Sequence, residues 1–319
     1  MINMSDNQPP VEKATREGYG DALVEIGKDE RIVALDADLS KSTNSSKFQE
    51  KYPDRFFNLG ISEQDLIGTA AGLAASGKIS YASSFAVFIT GRAYGQIRLM
   101  AGISKLNMRV VGSHAGILTG EDGASHQATE DISLMRAIPN MTVIQPADYN
   151  EAISAVKASV DYKGPIYLRL GRGKVPSITN NDQKFEIGKG TILKEGKDVT
   201  IIATGALVHI ALEAHEKLKE QNINAKIINI HTIKPIDKEL IISSARETKA
   251  IVTAEDHNII GGLGSAVAEV LSENIPTPLE RVGMMDTFGE SGTPKELYEH
   301  YNLTPEQIIK AVKNTIKRK

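Results

Sequence analysis

Short apolar runs alternate along this chain with longer segments whose apolar residues recur every three or four positions. Residues 31–35, 108–112, 142–144 and 166–170 read as strands, and 65–75 and 151–160 as helices. The 65–75 segment is rich in Ala and Gly, which suits close packing. Residues 174–184 break the rhythm with Pro176 and Asn180-Asn181-Asp182, a polar, turn-forming stretch of linker composition. The rhythm then restarts. Strands are predicted at 199–203, 225–230 and 250–255, and helices at 208–220, 239–246 and 264–271. A last amphipathic helix covers 304–316, with Thr304 as its cap and Pro305 at its first position. This alternation predicts an α/β chain of two domains, 1–185 and 186–319, each a mostly parallel sheet flanked by helices.

Bulk properties narrow the picture. A length of 319 residues suits two packed domains. A net charge of −3 gives no broad attraction to nucleic acid or to a membrane surface. There is no cysteine, which excludes disulfides, thiolate metal sites and cysteine nucleophiles. The first eleven residues are polar, carry two prolines and contain no apolar signal core. The longest nearly apolar stretch, 199–214, is interrupted by Thr200, Thr204 and His209 and is too short to span a bilayer. Together these point to a soluble, cytoplasmic protein with no nucleic-acid or membrane partner. The basic end Lys317-Arg318-Lys319 reads as a solvated, frayed terminus.

Five segments carry candidate chemistry. In Gly60-Ile61-Ser62-Glu63-Gln64-Asp65, Ser62 and Asp65 fit a capping box, which puts Glu63 in the first turn of a helix where the dipole favours a carboxylate. Residues 112–127 follow a strand and hold four glycines, His114, His126 and the acid pair Glu121-Asp122. Loops at the carboxyl ends of parallel strands are where α/β sheets bind ligands, and glycines let a backbone approach a substrate closely. His126 and Glu130 have the spacing of a metal pair, but no third ligand accompanies them, so no metal site is assigned. Phe85 and Phe88 stand three apart in a chain that is only 5% aromatic, and serve either core packing or stacking on a flat cofactor. Arg169-Leu170-Gly171-Arg172-Gly173 suits bidentate phosphate binding or surface ion pairing. Gly261 to Val267 half matches a dinucleotide fingerprint, but Val267 replaces its third glycine, so helix capping and packing account for it.

Taken together and in this order, the segments resemble one family. From about Thr15 to its end the chain is similar to the C-terminal half of transketolase, most specifically in Gly60-Ile-Ser-Glu-Gln and Gly120-Glu-Asp-Gly-Ala-Ser-His-Gln, followed by Ile138-Pro-Asn-Met and Pro146-Ala-Asp. The resemblance implies a thiamine-diphosphate enzyme. Glu63 then matches the glutamate on the aminopyrimidine nitrogen opposite the amino group. A proton shared there favours the imino tautomer that generates the reactive ylide. Phe85 and Phe88 match the aromatics stacked on the pyrimidine, and Leu39 and Ile61 the apolar positions that hold the cofactor bent. His114, Asp122 and His126 match residues on the donor sugar's hydroxyls and carbonyl, with the two histidines also assisting proton movement. Arg16, Ser42 and Arg172 match the sugar-phosphate ligands. Arg169 could also reach that phosphate, and Asp38 matches a further position of this site. One departure is Gly91, where many relatives place a tyrosine beside the cofactor; Tyr94, three residues on, is the residue expected to fill that space.

Thiamine enzymes hold the diphosphate through a metal, using Gly-Asp-Gly and a later Asn pair. This chain has no Gly-Asp-Gly, and Asn180-Asn181 has no such motif upstream. The resemblance therefore implies a separate N-terminal subunit that carries the diphosphate and its Mg2+ or Ca2+. It further implies a two-plus-two heterotetramer acting on sugar phosphates by two-carbon ketol transfer. Deoxyxylulose-phosphate synthase and the β subunit of 2-oxo-acid dehydrogenases share the architecture, but His114 and Glu121-Asp122 look more like transketolase, which must grip a donor sugar. A non-catalytic protein on the same scaffold would be expected to lose some of Glu63, His114, Asp122 and His126, all of which are present.

Overall fold

The computed structural model describes residues 11–180 and 185–319; the first ten residues and the last four of the expected linker lie outside the described residues. Strands β1 (Glu12–Lys13) and β8 (Val175–Pro176) form a small antiparallel pair. A seven-stranded sheet contains β2 (Ile32–Asp36), β3 (Phe56–Asn58), β4 (Ile79–Phe85), β5 (Met108–Ser113), β6 (Thr142–Ile144), β7 (Ile166–Arg169) and β12 (Thr232–Lys234), in the order β12-β6-β7-β5-β4-β2-β3. A five-stranded sheet contains β9 (Thr191–Lys194), β10 (Val199–Ala203), β11 (Ala225–Asn229), β13 (Ile251–Asn258) and β14 (Leu279–Met284), in the order β14-β13-β10-β11-β9. Within these two sheets all pairings are parallel except β6 with β12 and β9 with β11, which lie at the sheet edges.

The near-continuous apolar strands follow from helices covering both faces of each sheet. Every residue of β4 is buried, including Ser80, Ser83 and Ser84. Tyr19 reaches Ser83 at 2.6 Å from one of the covering helices. That helix, Thr15–Ile26, is unmarked in the sequence because Gly18 and Gly20 read as breakers. In the fold both are close approaches: a Cβ on Gly18 would lie 2.4 Å from the Tyr149 carbonyl oxygen, and one on Gly20 2.6 Å from that of Asn44.

The two sheets are joined in three ways. β12 leaves the second half of the chain to pair with β6 of the first sheet. Ile117, Leu118, Ala147 and Val175 from the first half belong to the same apolar core as β10, β11 and β13. Finally, Glu151 takes hydrogen bonds from the Ala147 N–H at 2.6 Å and the Asn229 amide at 2.8 Å.

Local details depart from the sequence reading. The helix Glu63–Ala75 begins at Glu63, but Ser62 makes no side-chain cap bond, so the expected capping box does not form. The basic end is tied down rather than frayed, since Arg318 pairs with Glu280 at 2.8 Å. The Gly261-Gly262 turn starts a helix whose first N–H groups, on Leu263 and Gly264, are taken by the buried Glu255 carboxylate at 2.7 and 2.8 Å. An internal acid thus occupies the place a phosphate would need. Among the described residues no helix is long and apolar enough to cross a membrane.

Burial pushes the Glu151 carboxyl from 4.5 up to about 7, against the pull of its hydrogen bonds from Ala147 and Asn229. A raised folded-state value gives stability that is full below pH 4.5 and is lost as pH rises through about 7. Glu151→Gln should therefore gain stability relative to the parent as pH increases across that window. Urea unfolding of both proteins from pH 4.5 to 8 tests this, because other titrating groups cancel in the difference; a constant difference would be the contrary result.

Candidate active site

The carboxyl ends of β2, β4, β5 and β7 lie side by side, and the segments leaving them bring most of the predicted residues together. At the end of β2, Asp36 is buried, and burial raises its carboxyl to about 6 although three hydrogen bonds oppose the shift. It accepts from the Leu39 N–H at 2.6 Å, Thr43 Oγ1 at 2.7 Å and Ser45 Oγ at 2.9 Å, which folds residues 36–45 back on themselves. Asp38 at the tip adopts a left-handed φ of 64°. Its N–H and carboxylate exchange hydrogen bonds with the Asn58 amide, both at 3.1 Å. The same turn presents the Ser42 carbonyl to Arg16 Nη1 at 2.8 Å.

Arg16 Nη1 also lies 3.2 Å from His114 Nε2. A guanidinium only donates, so Nε2 accepts and the ring proton sits on Nδ1, 2.9 Å from Ser113 Oγ. His114 is buried and has φ 58°, a left-handed backbone unusual for its size. Burial, followed by Arg16, Arg172 and His126, lowers its pKa to about 3. The imidazole is therefore neutral at physiological pH and works as a hydrogen-bonding group.

The rings form one wall. Phe85 stacks on His114 with centroids 3.8 Å apart and lies 5.7 Å from Phe88. His126 stands edge-on to both, at 6.1 and 5.2 Å. Arg172 Nη1 donates to the Thr119 carbonyl and lies 3.3 Å from Asp122. Two cations, Arg16 and Arg172, thus flank His114 and Asp122. At the other end of the wall Glu63 is buried, with Oε1 bonded to Arg92 Nη1 at 2.8 Å. The Arg92 guanidinium lies 4.2 Å from the centre of the Phe88 ring. Leu39 is half-buried, whereas Ile61 is 77% exposed. Tyr94 packs against the core of the first sheet.

Arg169, expected beside Arg172 as a residue that could reach the phosphate, is 2% exposed and pairs with Asp131 at 2.8 Å. Its Nη2 also donates to the carbonyls of Ala128 and Asp256, each at 3.0 Å. A guanidinium so committed is a structural brace, and Arg172 is the arginine that faces the site.

The second sheet supplies the support for the loop that bears Asp122 and His126. Asp256, at the end of β13, accepts from the Ile117 N–H at 3.0 Å and from Tyr298 Oη at 3.3 Å. Gln127 Nε2 donates to the carbonyls of Gly120 and Glu290 at 3.1 and 2.9 Å. Asp36, Arg92 and Asp256 escaped the sequence reading. Asp36 left one trace, an acid at a strand end followed by hydroxyls at 43 and 45; the other two have none, because their partners come from distant segments.

A carboxylate, stacked phenylalanines and adjacent apolar side chains suit a flat, nitrogen-bearing ring, so the donor set fits an aminopyrimidine. Among the described residues no group of three or more His, Asp or Glu side chains is arranged to hold a metal ion.

Two family profiles match the chain: transketolase, pyrimidine binding domain, over residues 11–177, and transketolase, C-terminal domain, over residues 188–308. A solved split gene transketolase, described as an inactive beta4 tetramer, superimposes with a TM-score of 0.90 at 52% identity, covering 95% of this chain and 98% of that one. A 6-deoxy-6-sulfo-D-fructose transketolase subunit of Clostridium sp. (strain MSTE9) is 44% identical over 305 residues, 95% of each protein. Transketolase of Homo sapiens is 38% identical over 308 residues, which cover 95% of this chain and 49% of the human one.

Gly116 has φ 74° and ψ −177°, and a Cβ there would lie 2.1 Å from Asp256 Oδ2. Gly116→Ala should therefore destabilise the chain by at least ~1–3 kcal/mol, from backbone strain alone. Thermal unfolding measures it, and an unchanged midpoint would contradict the strained approach of Gly116 to Asp256.

Proposed function

This chain belongs to the transketolase family of thiamine-diphosphate-dependent transferases, and on that premise we propose that it is the pyrimidine-binding subunit of a two-chain transketolase. Its partner is a separate N-terminal subunit that holds the diphosphate and its Mg2+ or Ca2+, and the active sites lie at the interfaces of a two-plus-two heterotetramer. The reaction is transfer of a two-carbon ketol unit from a ketose phosphate to an aldose phosphate in the cytoplasm, a step of pentose phosphate metabolism. The boundary between the pyrimidine-binding and C-terminal domains is assigned to residue 185, at the end of the polar 174–184 stretch.

The observation that carries this reading is the buried Glu63 carboxylate at one end of a ring wall whose other end is His114. The absence of Gly-Asp-Gly from the sequence and the relatives of equal length described as a split gene product and as a subunit support the two-chain form. Thiamine diphosphate supplies, when bound, the carbon nucleophile that no side chain here provides. This chain's residues do the rest. Glu63 holds the proton at the ring nitrogen, and Phe85 and Phe88 orient the ring with Leu39 and Ile61 beside it. His114 and His126 polarise the sugar's oxygens and assist proton movement as the carbon bond is broken and remade. Asp122 accepts from sugar hydroxyls. Arg16, Arg172 and the Ser42 turn, with Asp38 near them, form the cationic end that takes the phosphate.

Mixing the chain with its N-terminal partner, thiamine diphosphate and Mg2+ should give two-carbon transfer from xylulose 5-phosphate to ribose 5-phosphate, with neither chain active alone. Glu63→Ala should lower that rate by ~100-fold or more without moving the unfolding midpoint. An assembled, cofactor-binding mixture that transfers nothing would redirect the reaction to a 2-oxo acid donor. Near-normal turnover by Glu63→Ala would remove the central residue.

A further inference from the structure

We propose that Arg92 is a positioning residue of the cofactor-ring site: its guanidinium orients Glu63 and forms the section of wall that Gly91 leaves open. The inference rests on the function proposed above and extends it to a residue to which the resemblance assigns no role.

Glu63 is 5% exposed, and among the described residues Arg92 is the side chain bonded to its carboxylate, through Nη1 and Oε1 at 2.8 Å. Engaging Oε1 leaves Oε2 as the oxygen available to a ring nitrogen, and it removes the rotation that would otherwise let the carboxylate turn away. The same guanidinium stacks 4.2 Å from the centre of the Phe88 ring. One flat cation therefore touches both the acid and the aromatic expected to hold the ring, and fixes their relative placement. Its backbone is held as well: Gln64 Nε2 donates to the Arg92 carbonyl at 3.1 Å, tying the end of helix Ala86–Arg92 to the first turn of helix Glu63–Ala75.

Gly91 gives the arrangement its meaning. A Cβ at Gly91 would meet nothing within 4 Å, so nothing in the fold requires a glycine there on grounds of space. Tyr94, the residue expected to compensate, is partly buried against the core of the first sheet. The planar group that lies against Phe88 beside this gap is Arg92. A guanidinium can replace an aromatic ring in that role because it is flat, weakly hydrated on its faces and stacks on π systems. The Arg92 side chain is 52% exposed but that of its partner Glu63 is only 6% exposed, so removing the guanidinium leaves a buried carboxyl without its partner, and the charge-keeping Arg92→Lys separates a loss at the site from a loss of folding. Its removal should register at the site, in kcat and in cofactor affinity, apart from any fall in the stability of the chain.

The test uses the two-chain holoenzyme, with thiamine diphosphate affinity read by isothermal titration calorimetry, kcat by the transfer assay, and the unfolding midpoint of this chain alone. Arg92→Ala should weaken cofactor binding by about tenfold and lower kcat by ~10–100-fold through a loose Glu63, both read well below the variant's own unfolding transition. Arg92→Lys, which keeps the charge but not the plane, should fall between. Gly91→Tyr added to Arg92→Ala should restore affinity, by rebuilding the wall, while kcat stays low because Glu63 remains unheld. Wild-type affinity and kcat in Arg92→Ala would overturn the proposal. If Glu63→Ala in the same preparations is inactive, that result leaves the transketolase reading standing. If the unaltered mixture binds no thiamine diphosphate, the functional reading and this inference fall together.

Discussion

The Arg169–Asp131 ion pair lies where β7 leaves the first sheet, and its charges are almost wholly removed from water. Burial alone would raise the Asp131 carboxyl, but Arg169 and its hydrogen bonds outweigh that effect and hold it below the ordinary range. Tyr167 adds a third bond to the same carboxylate at 2.6 Å. A buried pair is tolerable only when its remaining donors and acceptors are satisfied, and here they reach the backbone of both halves of the chain, at Ala128 and Asp256. Removing either partner would leave an unpaired charge in the interior, which explains why Arg169 cannot double as a ligand for a mobile substrate phosphate.

From this brace the substrate loop takes its shape. Ala128 lies beside Ala115 in an isolated bridge, and the Gly116 N–H closes on the Ala128 carbonyl at 2.8 Å. Asp256 then caps the turn at Ile117. The loop carrying His114, Asp122 and His126 is accordingly pinned at its base by one sheet and along its flank by the other. The C-terminal domain contributes no side chain to the proposed list of substrate and cofactor contacts, yet it determines where those contacts stand.

Electrostatics divides the site into two ends. At the phosphate end, Arg16 and Arg172 are close enough that each disfavours a further positive charge nearby, and with burial they keep His114 neutral. A neutral histidine between two arginines can donate or accept a hydrogen bond without adding to a cation cluster that already suits a dianion. At the ring end, one exposed arginine faces one buried carboxylate across the Phe88 face. The Phe85–Phe88 pair lies between the two ends and sets a cationic end apart from one that carries a single buried acid.

Much of this was legible in the amino-acid order. Strand and helix alternation follows from apolar spacing, which is local. Glu63, Phe85, Phe88, His114, Asp122 and His126 can be singled out as candidates because each sits in a short segment of unusual composition, although each segment alone also has an ordinary structural reading. Arg16, Ser42 and Asp38 needed the family resemblance, since an isolated charge or hydroxyl carries no local signal. Other matters were decided by tertiary structure alone. Arg169 and Arg172 are equivalent on paper, and only the approach of Asp131 and β13 buries the first and leaves the second facing the site. Arg92 acquires a role because the fold places it against Glu63, 29 positions away along the chain. The charge state of His114 depends on burial and on an arginine 98 residues distant. Sequence records what short-range sterics and periodicity dictate, whereas desolvation and pairwise charge interactions exist only once remote segments have been brought together.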